Sequence, residues 1–180
     1  MGVLRQLWGR VVLDGHGDLL GQAAGIARLP YRGISETITP PKLQRIVDLF
    51  AGAPKDLRLQ ALLEYSRKVP PLPEHLAGHR DRMEQVVECQ TPFFLATELD
   101  DDRRVHLWFD VPAEAPTTRG FAGILREGLE GAGAEEVLGT PNDFYEELGL
   151  AEVISSLRLR GMSAILFRLK RQVEERLAAA

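Results

Sequence analysis

Cysteine is almost absent from this sequence: the 180 residues contain one, Cys89. A single cysteine cannot form a disulfide within the chain, which favours a reducing compartment, and we expect a cytoplasmic protein. Iron–sulfur clusters and structural zinc sites are bound by several thiolates. His75 and His79 lie four residues apart, but no third ligand accompanies them. The sequence therefore predicts neither a bound metal nor any other cofactor.

An excess of positive charge is also missing. Lys and Arg number 22 against 26 Asp and Glu, which gives a net charge of -4. Nucleic-acid binders usually present a basic face, so we expect no nucleic-acid partner. No apolar run approaches the roughly 18 residues of a membrane-spanning helix, so we expect no membrane association either. The hydrophobic and charged fractions, 44% and 27%, are typical of one globular domain.

The first 38 residues differ from the rest of the chain in their glycine spacing. A glycine inside a helix costs about 1 kcal/mol relative to alanine. Asp14 and Asp18 do not fit an organelle transit peptide, which contains few acids. We predict a poorly ordered extension at residues 1–38 and a folded domain at residues 39–180. The glycines that interrupt any helix here are Gly2, Gly9, Gly15, Gly17, Gly21, Gly25 and Gly33.

Two helices are predicted at the start of this domain. Proline is tolerated in the first helical turn, so Thr39-Pro40-Pro41 is a reasonable helix start. The apolar residues from Leu43 to Phe50 then recur at helical spacing, as do those from Leu57 to Tyr65. Gly52-Ala53-Pro54 separates the two stripes. A loop this short favours two antiparallel neighbouring helices.

Three extended segments follow, and Cys89 lies between the first two. Met83 to Val87 and Phe93 to Leu99 are rich in strand-forming residues, as is Arg103 to Val111. The polar break around Cys89 predicts a tight connection with the thiol near its tip. Asp100-Asp102 predicts an exposed hairpin between the second and third strands. Together these segments predict a three-stranded antiparallel meander.

Helices are predicted again after the meander. The pattern indicates Thr118 to Glu130, a short turn from Ala134 to Leu138, Pro141 to Leu148, and a long last helix from Gly161. A three-stranded sheet is stabilised when helices pack against it. We therefore predict an α+β fold in which helices precede and follow an antiparallel meander.

Three patches of the sequence lie in order around Cys89: Val86 to Leu95, Arg119 to Leu125 and Ser156 to Met162. Together they resemble the SufE family of cysteine-desulfuration proteins. Val86 to Leu95 is similar to the family's valine-rich strand, loop cysteine and apolar second strand. Arg119 to Leu125 is similar to its basic residue and glycine at the start of an apolar helix. Ser156 to Met162 is similar to its Ser-Arg-x-x-Gly segment before the last helix. Asn142 to Leu150 fits the short aromatic helix between them, and the resemblance covers Pro41 to Leu177.

The resemblance implies a fold shared with the IscU-type scaffolds and a role in iron–sulfur cluster assembly. A SufE-like protein accepts persulfide sulfur from a cysteine desulfurase, a pyridoxal-phosphate enzyme, and passes it to a cluster scaffold complex. Cys89 would be the persulfide acceptor, flanked by Glu88 and Gln90. Arg119 and Arg158 match basic positions that the family uses to steady the cysteine loop or to contact the desulfurase.

The sequence departs from the family pattern beside the thiol. Glu88 stands where many members have glycine, and Thr91-Pro92 follow Gln90. A carboxylate next to a thiol disfavours the thiolate, and so do apolar neighbours such as Val86 and Phe93. We therefore predict a partly sheltered, neutral Cys89 that becomes reactive when the desulfurase binds.

Two other classes of function are compatible with a single cysteine. In a cysteine hydrolase or transferase, Cys89 would be the nucleophile and His106 its base, which requires the two within hydrogen-bonding reach. A loop cysteine and a mid-strand histidine are expected to lie too far apart. In a non-catalytic interaction module, or an activator of the desulfurase, Cys89 would be a small buried hydrophobe and the basic last helix the interface.

Overall fold

A computed structural model describes residues 39–179 of the protein. The predicted extension at residues 1–38 lies outside the described residues, so that domain boundary stays a prediction. Within the described part, two helices precede a sheet and further helices follow it, as the sequence predicts. The elements are α1 (Pro41–Gly52), α2 (Lys55–Arg67), β1 (Glu84–Gln85), β2 (Phe94–Leu99), β3 (Val105–Asp110), α3 (Pro116–Leu129), α4 (Ala134–Gly139), α5 (Phe144–Glu147) and α6 (Ser156–Ala179).

The three strands form an antiparallel sheet in the order β1-β2-β3, which confirms the predicted meander. Glu84 of β1 lies opposite Leu95, and at the far end of the sheet Leu99 lies opposite Val105. Residues of β3 alternate between buried and half-buried, because successive side chains of a strand point to opposite faces. The sheet therefore has two distinct faces to cover.

The acidic hairpin between β2 and β3 is held by one carboxylate. Asp100 Oδ1 accepts hydrogen bonds from the backbone N–H groups of Asp102, at 3.0 Å, and Arg104, at 2.8 Å. Arg103 has a φ of 57°, in the left-handed region that non-glycine residues seldom adopt. The two bonds to Asp100 stabilise this turn.

The main core lies between the helices and one face of the sheet. Helix α3 is central and packs against α1 and α2. A Cβ atom on Gly123 of α3 would overlap the backbone carbonyl of Tyr65, so α2 and α3 approach each other through their backbones. The largest fully buried side chains of this core are Phe50, Phe93, Phe121 and Phe144.

The other face of the sheet is covered by the irregular segment between α2 and β1. Leu76 from this segment packs with Met83 and Ala96, and the half-buried Phe94 and Trp108 border them. Pro70, Pro71 and Pro73 exclude regular structure here, as the sequence predicts. The segment replaces a helix as the cover of this face.

Some predicted elements are shorter in the structure. The first strand is predicted over Met83 to Val87 but spans only Glu84–Gln85, because Val86 already begins the turn that contains Cys89. The helix predicted over Pro141 to Leu148 spans Phe144–Glu147.

The last helix is longer than the sequence predicts. It begins at Ser156 rather than at Gly161, so Arg158 lies within the helix and not in the loop before it. Glycine lowers helix propensity, yet the structure retains Gly161 inside α6. Inside the helix, this glycine instead makes room for a neighbouring side chain of the functional site.

Candidate functional site

Cys89 lies in the connection between β1 and β2, where the sequence predicts it. The backbone N–H of Val86 donates to the carbonyl of Phe93 at 2.8 Å and closes this connection. The N–H of Cys89 donates to the carbonyl of Val86 at 3.1 Å, which forms a tight turn. We call residues 86–93 the cysteine loop. The turn places the thiol at the end of a short, closed loop.

The cysteine loop folds onto helix α6. The Cys89 thiol is free and half-buried, and it packs against Gly161. A Cβ atom at position 161 would lie 3.2 Å from Cys89 Sγ, closer than ordinary van der Waals contact. Glycine inside α6 therefore makes room for the sulfur atom.

A cavity of about 240 Å³ adjoins the thiol. The cysteine loop forms one wall, and the segment that leads into α3 forms another. The first half of α6 forms the third wall. The lining residues outside the loop are Glu114, Ala115, Pro116, Thr117, Thr118, Phe121, Leu157, Arg158, Gly161, Met162 and Ile165. The walls combine apolar side chains with polar and charged ones, and the thiol itself is half-buried.

This environment disfavours the thiolate. Burial of the side chain, and then the negative charge of Glu88, raise the pKa of Cys89 from its ordinary value of 9.0 to about 11, while Arg168 acts in the opposite direction. The direction agrees with the effect that the sequence predicts for Glu88 and the apolar neighbours. Only the thiolate is nucleophilic, so the closed loop holds Cys89 in its unreactive form.

Glu88 forms an ion pair that sequence reasoning missed. Its carboxylate accepts hydrogen bonds from Arg168 of α6 at 2.8 and 2.9 Å. This guanidinium holds the pKa of Glu88 below its usual range. Arg168 also donates to Glu84 of β1 at 2.6 Å. The two partners are 80 and 84 residues away in sequence, and no local motif signals such a contact.

The two arginines predicted as supporting residues lie in different surroundings. Arg158 is exposed and lines the cavity beside the thiol. Arg119 is not among the lining residues of the cavity. Its guanidinium donates to the carbonyls of Ser66, Val69 and Val111 at 3.0, 3.1 and 2.6 Å. Arg119 is therefore neither a solvated cation nor in contact with the cysteine loop, and it joins α2 to the end of β3.

Gln90 and His106 complete the set of predicted candidates. Gln90 is exposed and lines the cavity next to Cys89. His106 lies on β3, where its ring contacts Glu130 at 2.9 Å and Asp100 at 3.4 Å. No histidine of residues 39–179 lines the Cys89 cavity. A hydrolase needs a base within reach of its nucleophile, so this geometry disfavours that class.

Neither a metal site nor a membrane-spanning helix is found in residues 39–179. No group of three or more His, Cys, Asp and Glu side chains in this part could hold a metal ion. His75, one of the two spaced histidines, contacts Glu98 instead, at 2.6 Å. No helix of the described part is long and apolar enough to cross a membrane.

Comparison with known proteins decides the family. The sequence model of SufE, described as an Fe-S metabolism associated domain, matches residues 44–173. The chain belongs to the SufE family. A SufE-like protein of Mycobacterium tuberculosis H37Rv is 52% identical over 136 residues, covering 76% of this chain and 94% of that protein.

Two further comparisons concern a relative that is named by its function and a protein of known structure. The cysteine desulfuration protein SufE of Plasmodium falciparum is 26% identical and covers 77% of this chain and 56% of that protein. The solution structure of a hypothetical protein from Thermus thermophilus is similar with a TM-score of 0.71 and 49% identity. The match covers 78% of this chain and 99% of that one, and it confirms the α+β fold.

Proposed function

We propose that this protein is a sulfur acceptor in iron–sulfur cluster assembly and that Cys89 carries the sulfur. Membership of the SufE family supports a sulfur-transfer role, and one relative is named a cysteine desulfuration protein. The observation that carries the proposal is a lone thiol on a closed loop beside a cavity of about 240 Å³. One water molecule occupies about 30 Å³ in the liquid, so a second sulfur atom has room there.

The proposed donor is a cysteine desulfurase, a pyridoxal-phosphate enzyme that holds sulfur as a persulfide on its own cysteine. The Cys89 thiolate attacks the terminal sulfur of that persulfide. A new S–S bond forms on Cys89, the S–S bond of the desulfurase breaks, and its cysteine leaves as a thiolate. The proton lost by Cys89 balances the one that the leaving thiolate takes up. No oxidant is needed, because the sulfur moves at constant oxidation state.

Transfer on this proposal depends on the partner. With a pKa of about 11, Cys89 is thiolate in about one molecule in ten thousand at neutral pH. The desulfurase must therefore move the thiol out of the cavity. Outside the cavity, water and the partner's charges lower the pKa of the thiol. The same shelter protects the loaded persulfide from other thiols on the way to a cluster scaffold complex.

We also propose that the cysteine loop and the first half of α6 contact the desulfurase. Arg158 is an exposed cation at the cavity wall. Val87 of the loop and Phe167 of α6 are large apolar side chains that are 69% and 68% exposed. Exposed aromatic and arginine side chains are typical of protein interfaces. We assign no catalytic step to Arg119. We propose that residues 39–180 form the sulfur-acceptor domain.

Intact-protein mass spectrometry tests the proposed function. The protein is incubated with a cysteine desulfurase and free cysteine, without reductant. We expect Cys89 to gain the mass of one sulfur atom, and omission of either component to abolish the gain.

The control variant is Cys89→Ser, which keeps the shape of the side chain and removes the nucleophile. It should fold normally and gain no sulfur. A Cys89→Ser protein that still accelerates the desulfurase would instead show an activator that does not carry sulfur. Mass gain elsewhere on the chain would contradict the assignment of Cys89.

A further inference from the structure

Arg168 joins three parts of the molecule through one guanidinium group. It lies on α6, pairs with Glu84 of β1 at 2.6 Å, and pairs with Glu88 of the cysteine loop at 2.8 Å. In the described part of the chain, every polar contact between the cysteine loop and α6 runs through Glu88 and Arg168. The buried side chains of Val86 and Phe93 fix the two ends of the loop. The position of its tip therefore depends on this ion pair and on the packing of the thiol against Gly161.

The Glu84 end of this arrangement is firmly anchored. Glu84 also accepts hydrogen bonds from Arg171 at 2.6 Å and from Gln172 at 2.9 Å. Gln172 in turn accepts one from the backbone N–H of Thr97, which is fully buried in β2. The anchor thus continues into the core of the sheet. It does not require the cysteine loop to be closed.

Of the two carboxylates that pair with Arg168, that of Glu88 is the more exposed. The side chains of Arg168 and Glu84 are 20% and 21% exposed, whereas that of Glu88 is 45% exposed. An exposed ion pair is weak and is screened by salt. Of the two carboxylates that Arg168 contacts, Glu88 is therefore the more weakly held.

We propose that Arg168 is a positioning residue that holds the cysteine loop closed through Glu88, and that loss of this pair releases Cys89. The inference deepens the proposed function and depends on it only for the identity of the partner. The closing of the loop itself is a property of the free protein. It can be measured without a desulfurase.

The ion pair has two separable effects on Cys89. Its charges change the pKa of the thiol, and its bonds limit access to the sulfur. The charged groups that face this region are Glu88, Arg168, Glu84 and Arg171, with Glu114 and Arg158 at the cavity wall. A rate of alkylation measured against pH separates the effects, because the pKa sets the midpoint and access sets the limiting rate at high pH.

The experiment measures alkylation of Cys89 in the free protein by iodoacetamide, a neutral reagent. Arg168→Gln and Glu88→Gln should each raise the limiting rate about fivefold, the factor that corresponds to about 1 kcal/mol. Glu88→Gln should lower the midpoint, because it releases the thiol from burial and removes a negative charge near it. In Arg168→Gln the loss of a positive charge opposes the effect of release, so its midpoint should lie above that of Glu88→Gln. The matched control is Arg171→Gln, which removes the same charge from Glu84 but no contact with the loop. Its limiting rate should stay within about twofold of the wild-type value.

Two additional measurements identify the pair itself. If both residues act through one contact, the Arg168→Gln/Glu88→Gln double variant should label no faster than the faster single variant. Salt should speed the labelling of the wild type and leave the double variant unchanged. Arg168→Lys, which retains the charge without the two-pronged geometry, should restore part of the slow labelling.

Equal limiting rates in wild type, Arg168→Gln and Glu88→Gln would overturn the inference. So would a double variant whose rate is the product of the two single effects, because the residues would then act independently. Neither result bears on sulfur uptake, which the mass measurement tests separately. Conversely, the expected labelling rates without any sulfur uptake would support the role of the ion pair and contradict the proposed function.

Discussion

Helices α3 and α6 use the same two residue types in different ways. Each contains a glycine that another element approaches closely and an arginine that bonds to neighbouring elements. On α3, Gly123 faces the backbone of α2, and Arg119 donates to three backbone carbonyls. On α6, Gly161 faces the thiol of Cys89, and Arg168 pairs with two carboxylates.

The two helices differ in whether the groups that they contact can move. A backbone carbonyl of a packed helix cannot move away without local unfolding, so the contacts of α3 fix the fold. A side chain of a loop can move while the fold persists, so the contacts of α6 fix only a position. This comparison assigns stability to the α3 contacts and control of Cys89 to the α6 contacts.

Among the substitutions that test the comparison of α3 with α6, the largest effect on stability is expected at Gly123. In Gly123→Ala the added methyl group meets the Tyr65 carbonyl, and α2 and α3 must separate. Overpacking against backbone is among the severe classes of substitution, and we expect a loss of about 3 kcal/mol in the free energy of unfolding. Urea denaturation followed by circular dichroism measures it.

The matched control for this substitution is Gly52→Ala. Gly52 ends α1, and a Cβ atom there would have no neighbour within 4 Å. The free energy of unfolding of Gly52→Ala should differ from that of the wild type by less than about 1 kcal/mol, with a sign set by helix propensity. Equal stability of the two variants would show that the close approach of α2 and α3 is not needed for the fold.

Gly161→Ala should affect the thiol rather than the fold. The methyl group would meet Cys89 Sγ at 3.2 Å, and the loop can yield by a few tenths of an ångström. Alanine also favours a helix over glycine by about 1 kcal/mol, so we expect the free energy of unfolding to stay within about 1 kcal/mol of the wild type. Cys89 should react faster with iodoacetamide because it is displaced toward solvent.

A Gly161→Ala protein that loses as much stability as Gly123→Ala would break the comparison. Gly161 would then be part of the rigid core, and the cysteine loop would not be free to move. Gly52→Ala again serves as the control, since it adds the same methyl group in open space.

Much of the fold could be predicted from the sequence because its signals are local. The apolar stripe from Leu43 to Phe50 gives α1, and the alternation from Val105 to Asp110 gives β3. The same local patterns place Cys89 in a connection between strands. Its raised pKa follows only in part, because burial is the larger cause and Glu88, which directly precedes the thiol, is the smaller one.

The rest depends on contacts between distant segments. Arg168 gains its role from Glu88 and Glu84, which lie 80 and 84 positions earlier in the chain. The sequence predicts a helix start at Gly161, whereas the structure keeps this glycine inside α6, where it accommodates the thiol. Arg119 matches a family position, but only the packing of α3 beside α2 and the end of β3 gives it three carbonyl partners.

The most direct test of the account is the alkylation rate of Cys89 against pH, with and without a cysteine desulfurase. Labelling is read from the mass of the acceptor, and no free cysteine is added. Because burial and Glu88 raise the pKa of the thiol, labelling of the free protein should increase with pH through about 11 rather than through 9.0. The desulfurase should accelerate labelling at neutral pH. A free protein whose Cys89 titrates near 9.0, reacts as fast as a small-molecule thiol and ignores the desulfurase would contradict the account.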